Sequence, residues 1–85
     1  METDEICVRY ANEAVGIVLR LLEDESGQTR TVLAEGQPNA LRMLGELLIA
    51  VADGSSGDSF HISPFGPGSI HFDRTSELGI YIHRL

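Results

Sequence analysis

The stretch that most limits how this chain can fold runs from Gly36 to Gly54 and reads "GQPNALRMLGELLIAVADG". Its apolar residues recur every three or four positions, which is the period of a helix that packs on one side. Pro38 suits a first helical turn, and Gly54 suits the position just after the last one. We therefore predict one amphipathic helix over residues 38–53. The residues predicted to face the core are Ala40, Leu41, Leu44, Leu47, Leu48 and Val51.

The rest of the chain alternates apolar and polar residues, as half-buried strands do. Three such runs precede the helix, "EICVRYA", "VGIVLRLL" and "TRTVLAE", with a polar turn "EDESGQ" at residues 23–28. Three shorter runs follow it, "SFHIS", "SIHFD" and "LGIYIHRL". The predicted fold class is α+β: an antiparallel sheet in the order βββ-α-ββ(β), with the helix packed on one face. A chain of 85 residues allows one small domain, residues 1–85.

The charge of the chain narrows the class of partner. Thirteen acidic residues against six arginines give a net charge of −7. A surface of this charge repels phosphate groups, so we expect no binding to nucleic acid or to anionic membranes. In addition, no apolar run in the sequence is long enough to span a bilayer. A basic protein partner is compatible with it. The single cysteine, Cys7, and the lack of a signal-like N-terminus predict a cytoplasmic protein.

Three histidines raise the question of a chemical site. His61, His71 and His83 each alternate with apolar neighbours, and Asp73 shares a face with His71. If the strands are adjacent, these side chains and Tyr81 converge on the sheet face opposite the helix, where they could bind zinc or supply a general acid and base. The simpler interpretation is a set of exposed polar positions, because no known metal or catalytic spacing is present. We therefore predict no cofactor and no catalytic residue, and favour a protein that is not an enzyme.

The chain has more apolar surface than a single sheet and one helix can cover between them. Some apolar residues widen the apolar side of the helix, some lie on the second face of the second strand, and one stands in the "PFGPG" turn. Contiguous exposed apolar surface usually marks an interaction site. The predicted interaction residues are Met43, Leu47, Ala50, Val18, Leu22 and Phe65. They favour a homodimer or another protein partner, unless the turn folds over the patch.

The C-terminal half, "FHISP…SIHFD…SELGIYIHRL" after an amphipathic helix, resembles small immunity proteins that bacteria keep against their own polymorphic toxins. The resemblance implies a helix packed on a sheet, with a segment like "SELGIYI" as a late strand. It also implies a protein that binds and blocks a toxin, often a basic nuclease. Two other hypotheses stay open at this point: a small enzyme or metal-binding protein using the histidine face, and a homodimeric regulatory or accessory subunit.

Overall fold

The computed structural model of the chain describes residues 2–23 and 27–85. Within these ranges the protein is α+β, as predicted, but the elements come in the order α-β-β-α-β-β. They are α1 (Thr3–Tyr10), β1 (Val18–Leu22), β2 (Thr31–Glu35), α2 (Pro38–Ala52), β3 (Ser59–Ile62) and β4 (Ile80–His83), with a 3-10 turn (Ser69–His71) between β3 and β4. The turn predicted at residues 23–28 includes residues 24–26, which lie outside the described ranges.

The strands form two separate two-stranded antiparallel sheets and not the single sheet that was predicted. In the first sheet Arg20 of β1 lies opposite Leu33 of β2, and in the second His61 of β3 lies opposite Tyr81 of β4. The predicted helix is confirmed at Pro38–Ala52. Pro38 stands at its beginning, as the missing proline N–H allows.

The predicted strand "SIHFD" is wrong, and an irregular segment takes its place along the second edge of β1. Gly68 turns the chain with a left-handed φ of 75°, and the 3-10 turn follows it. The N–H of Ile17 then donates to the carbonyl of His71 at 2.9 Å, and the N–H of Asp73 donates to the carbonyl of Ile17 at 2.9 Å. These two bonds form an isolated parallel bridge between Ile17, the residue just before β1, and Phe72, in place of a third strand.

The first predicted strand, "EICVRYA", is also wrong, because it is helix α1. Ile6 and Tyr10 are its buried residues, and their spacing of four places both on one side of a helix. Its first turn carries Asp4 and Glu5, and Arg9 stands in its last turn, so its charges complement the helix dipole. Packing of α1 against α2 buries Ile6 and Tyr10 in the same core as the buried side chains of α2.

The addition of α1 changes which side of α2 faces the core. Its buried residues are Ala40, Met43, Leu44, Leu47 and Val51. Leu41 and Leu48, which were predicted to be buried, are 47% and 49% exposed. The main core joins α2 to α1, β1, β3 and the segment before β1, and consists of Ile6, Tyr10, Val15, Ile17, Leu19, Ala40, Met43, Leu44, Leu47 and Ile62.

Neither of the two helices in residues 2–23 and 27–85 has the length and apolar character that a membrane crossing requires.

Candidate functional site

The structure separates the three histidines. His61 and His83 are exposed on the outer face of the β3–β4 sheet, with Tyr81 between them at ring distances of 6.0 and 6.4 Å. His71 is buried, with 3% of its surface exposed, because it lies in the 3-10 turn and not on a strand. Burial lowers the pKa of His71 below its ordinary value, since the charged imidazolium loses its hydration. The expectation of three exposed histidines is therefore wrong for His71.

Asp73, the fourth ligand in the zinc hypothesis, is bound within its own turn. Its carboxylate accepts the backbone N–H of Thr75 at 2.9 Å and the hydroxyl of the same residue. These hydrogen bonds hold the pKa of Asp73 below its usual range. Among residues 2–23 and 27–85 no group of three His, Cys, Asp or Glu side chains is arranged to hold a metal ion.

The residues predicted to form an interaction surface are divided between the interior and the surface. Met43 and Leu47 are fully buried, because α1 covers the side of α2 that was expected to be open. Val18 is buried as well, and Ala50 is half-buried. Leu22 is 39% exposed and Phe65 is 87% exposed, so Phe65 does not fold over the patch as a lid. Only these last two of the six predicted residues are surface residues.

The cysteine has surroundings that suppress its reactivity. Cys7 lies half-buried on α1, and burial, with the nearby Asp4 carboxylate, raises the pKa of its thiol. A raised pKa keeps the thiol protonated, and the thiolate is the nucleophilic form. The side chain packs at the edge of the core.

An acidic groove lies where the first turn of α1 meets the end of α2 and the start of β3. Its volume is about 540 Å³. Four carboxylate side chains line it, and none of the described residues that line it is basic. We call it the acidic groove, and its charged residues are Glu2, Glu5, Asp53 and Asp58.

Two local features affect the charge of the acidic groove. Asp58 is held in place because its carboxylate accepts the N–H of Ser55 at 2.8 Å. The C-terminal end of α2 also lies here. No basic residue stands in its last turn, but Arg84 donates its Nε–H to the carbonyl of Ala52 at 3.1 Å and offsets the partial negative charge of the helix dipole. A cationic group in the groove would therefore be stabilised mainly by the carboxylate side chains that line it.

An apolar pocket of about 130 Å³ adjoins the acidic groove between the two helices. The two hollows share Ala50 and Asp53 in their walls. Ile6 and Ile49 supply the rest of the apolar lining of the pocket, and Glu46 lies at its rim. The combination offers an apolar contact beside a cluster of carboxylates on one continuous surface.

A polar link between the helices holds the two hollows in shape. Glu46 of α2 accepts a hydrogen bond from the hydroxyl of Tyr10 and pairs with the guanidinium of Arg9. The Tyr10 hydroxyl, followed by Arg9, holds the pKa of Glu46 below its usual range. The guanidinium also lies 5.2 Å from the centre of the Tyr10 ring, within reach of a cation–π contact. This link pairs Glu46 with Arg9 and leaves the acidic groove as the acidic surface beside it.

Sequence reasoning missed the acidic groove, because it depends on α1 being a helix. Glu2 and Glu5 come together with Asp53 and Asp58 only when α1 packs against α2. The available signal was the pair Ile6 and Tyr10, which has helical spacing, with acidic residues before it and Arg9 near its end.

Comparison of the chain with protein-family models, with curated proteins and with solved structures gave no match to any of them.

Proposed function

We propose that this protein is a small acidic interaction domain that binds a basic protein partner through the acidic groove. The observation that carries the proposal is the continuity of the groove with the apolar pocket through Ala50 and Asp53. A partner segment that places an Arg or Lys side chain in the groove and an aliphatic side chain in the pocket would satisfy both. Protein interfaces commonly combine an apolar anchor with charged contacts at its rim.

The net charge of −7 supports the same partner class. A strongly acidic surface attracts basic proteins over long range and accelerates their encounter. The resemblance of the C-terminal half to immunity proteins makes a basic toxin the specific partner that we propose, with neutralisation by blocking as the mechanism. Binding and blocking require no catalytic group.

The test separates the acidic groove from the overall charge of the protein. Binding of a fluorescent octa-arginine peptide is measured by anisotropy in low salt for the wild type and for two double variants. Glu5→Gln with Asp53→Asn changes the groove, and Glu35→Gln with Glu77→Gln makes the same charge change elsewhere. We expect the groove variant to weaken binding on the order of tenfold, because each exposed ion pair contributes up to ~1 kcal/mol.

The control variant should weaken binding much less than the groove variant does. Equal weakening by the two would mean that the peptide responds to net charge alone, and the groove would lose its proposed role. Far-ultraviolet circular dichroism checks that Glu5→Gln, which lies in the first turn of α1, leaves the helix intact.

A further inference from the structure

The outer edge of β3, on the side away from β4, presents backbone groups that can still form hydrogen bonds. Residues of an antiparallel pair alternate between positions that bond across the ladder and positions that do not. The N–H of Arg84 donates to the carbonyl of Asp58 at 2.8 Å, so by alternation Phe60 is a position that bonds β4. Ser59 and His61 are the other positions, and their N–H and C=O groups point away from β4.

This edge is open over a short stretch that begins at the acidic groove. Ser59 and His61 are exposed, and within the part of the chain that the structure describes no hydrogen bond reaches their outward backbone groups. At the far end the N–H of Ser63 donates to the carbonyl of Pro67 at 2.7 Å, which closes the edge. At the near end Ser59 lines the acidic groove, whereas His83, opposite it on β4, does not. The groove therefore opens on the free side of β3.

We propose that the basic partner binds as an extended strand added to the outer edge of β3, with a basic side chain of that strand in the acidic groove. The inference rests on the proposed function and adds the conformation of the bound segment. Ser59 and His61 each offer one N–H donor and one C=O acceptor to such a strand. In strand addition the backbone bonds supply affinity, and the surroundings of alternate side chains supply specificity. Here the carboxylates of the groove select basic side chains.

Charge distinguishes this edge from the edge of β2. Leu19 lies opposite Ala34, but its N–H and C=O bond the segment on the other side of β1, so the backbone groups of Ala34 point away from β1. The charges beside that edge are mixed, because Arg20 and Arg30 accompany Glu35. The edge of β3 instead borders four carboxylates, and none of the described residues that line the groove is basic. A basic segment is therefore attracted to β3 more strongly than to β2.

Amide hydrogen exchange tests the added strand directly, because it reports on the N–H groups that the partner would bond. The probe is an eight-residue peptide that alternates arginine with valine, added at about ten times its dissociation constant to the wild-type protein in low salt. We expect exchange with water at the N–H groups of Ser59 and His61 to slow by about tenfold, since exchange then requires the small unbound fraction. Exchange at Val32 and Ala34, which face outward on the edge of β2, should not change and serves as the internal control.

Two N-methylated versions of the peptide give a second measurement that leaves the protein unaltered. One version is methylated at the arginine N–H groups and the other at the valine N–H groups. An added strand points alternate N–H groups toward β3 and away from it, so we expect one version to lose at least tenfold in affinity and the other to bind like the unmodified peptide. Two versions that bind alike would overturn the proposal.

The groove variant, Glu5→Gln with Asp53→Asn, separates this inference from the proposed function. Suppose that the variant binds the peptide more weakly, while exchange at Ser59 and His61 of the wild type is unaffected by the peptide. The partner then binds the groove without adding a strand, and this inference alone is overturned. If exchange at these two residues slows equally in both proteins and the affinity is the same, the strand forms without the groove, and the proposed function alone is contradicted.

Discussion

Ser76→Ala should destabilise the protein far more than the loss of one small hydroxyl suggests. Ser76 is 2% exposed and lies beside β1, where its Oγ accepts the backbone N–H of Leu19 at 2.9 Å. The carbonyl of Leu19 already accepts the N–H groups of Glu77 and Leu78 at 3.0 and 2.9 Å. The hydroxyl proton is therefore best donated to the carbonyl of Leu78, 3.2 Å away. One side chain thus joins the segment after the 3-10 turn to the edge of β1.

The magnitude follows from what the alanine leaves behind. Leu19 is 4% exposed, so its N–H would remain buried without a partner, at a cost of about 1–3 kcal/mol. The hydrogen bond to the carbonyl of Leu78 is only part-buried, so its loss adds less. We expect a loss of about 2 kcal/mol, which is a large part of the ~4–13 kcal/mol typical for a domain of this length. The melting temperature should fall by roughly 8–16 °C.

Urea unfolding followed by far-ultraviolet circular dichroism measures this loss directly. Ser59→Ala is the matched control, because Ser59 is exposed at the start of β3, and we expect it to change the free energy of unfolding by less than ~0.5 kcal/mol. Ser76→Ala with a loss below ~0.5 kcal/mol and an unchanged m-value would refute the reasoning. It would mean that the segment is held to β1 by its backbone bonds alone.

Two further predictions concern the same segment. Burial lowers the pKa of His71 in the folded protein, whereas in the unfolded chain the pKa of this histidine stays near its ordinary value of ~6.5. Below pH ~6.5 the unfolded chain therefore binds a proton more readily than the folded protein does. The contribution of neutral His71 to stability is fully present above pH ~6.5 and is lost as the pH falls through the lower pKa of the folded protein. Urea unfolding between pH 7.5 and 5 should show this decline in the wild type and in His61→Gln but much less in His71→Gln, and equal slopes in all three would contradict it. Gly68→Ala should cost about 1–3 kcal/mol, because φ is 75° and the new Cβ would lie 2.8 Å from the Cβ of Ile62. Gly45→Ala, in an open helical position, should instead be neutral or stabilising, and equal melting temperatures for the two variants would argue against the close packing at Gly68.

The sequence by itself determined the elements whose signals are local. Residues 38–52 have helical period over four turns, with Pro38 at one end, and no tertiary contact is needed to recognise them. The runs that form β1, β2, β3 and β4 alternate strongly enough to be recognised as strands. The α+β class followed from these elements, and so did the prediction that His61 and His83 are exposed.

Only the tertiary structure decided the identity of α1 and the site that depends on it. "EICVRYA" satisfies the alternation of a strand and also places Ile6 and Tyr10 four residues apart, so the local pattern fits both structures. The decision came from α2, whose broad apolar surface buries a second helix at one flank and leaves Leu41 and Leu48 outside. In the same way "SIHFD" alternates like a strand, but the left-handed turn at Gly68 and the edge of β1 place His71 in the interior. Short runs that alternate apolar and polar residues are stabilised mainly by the elements they pack against. Those elements are distant in sequence, so the local pattern of the run does not determine whether it becomes a strand, a helix or a turn.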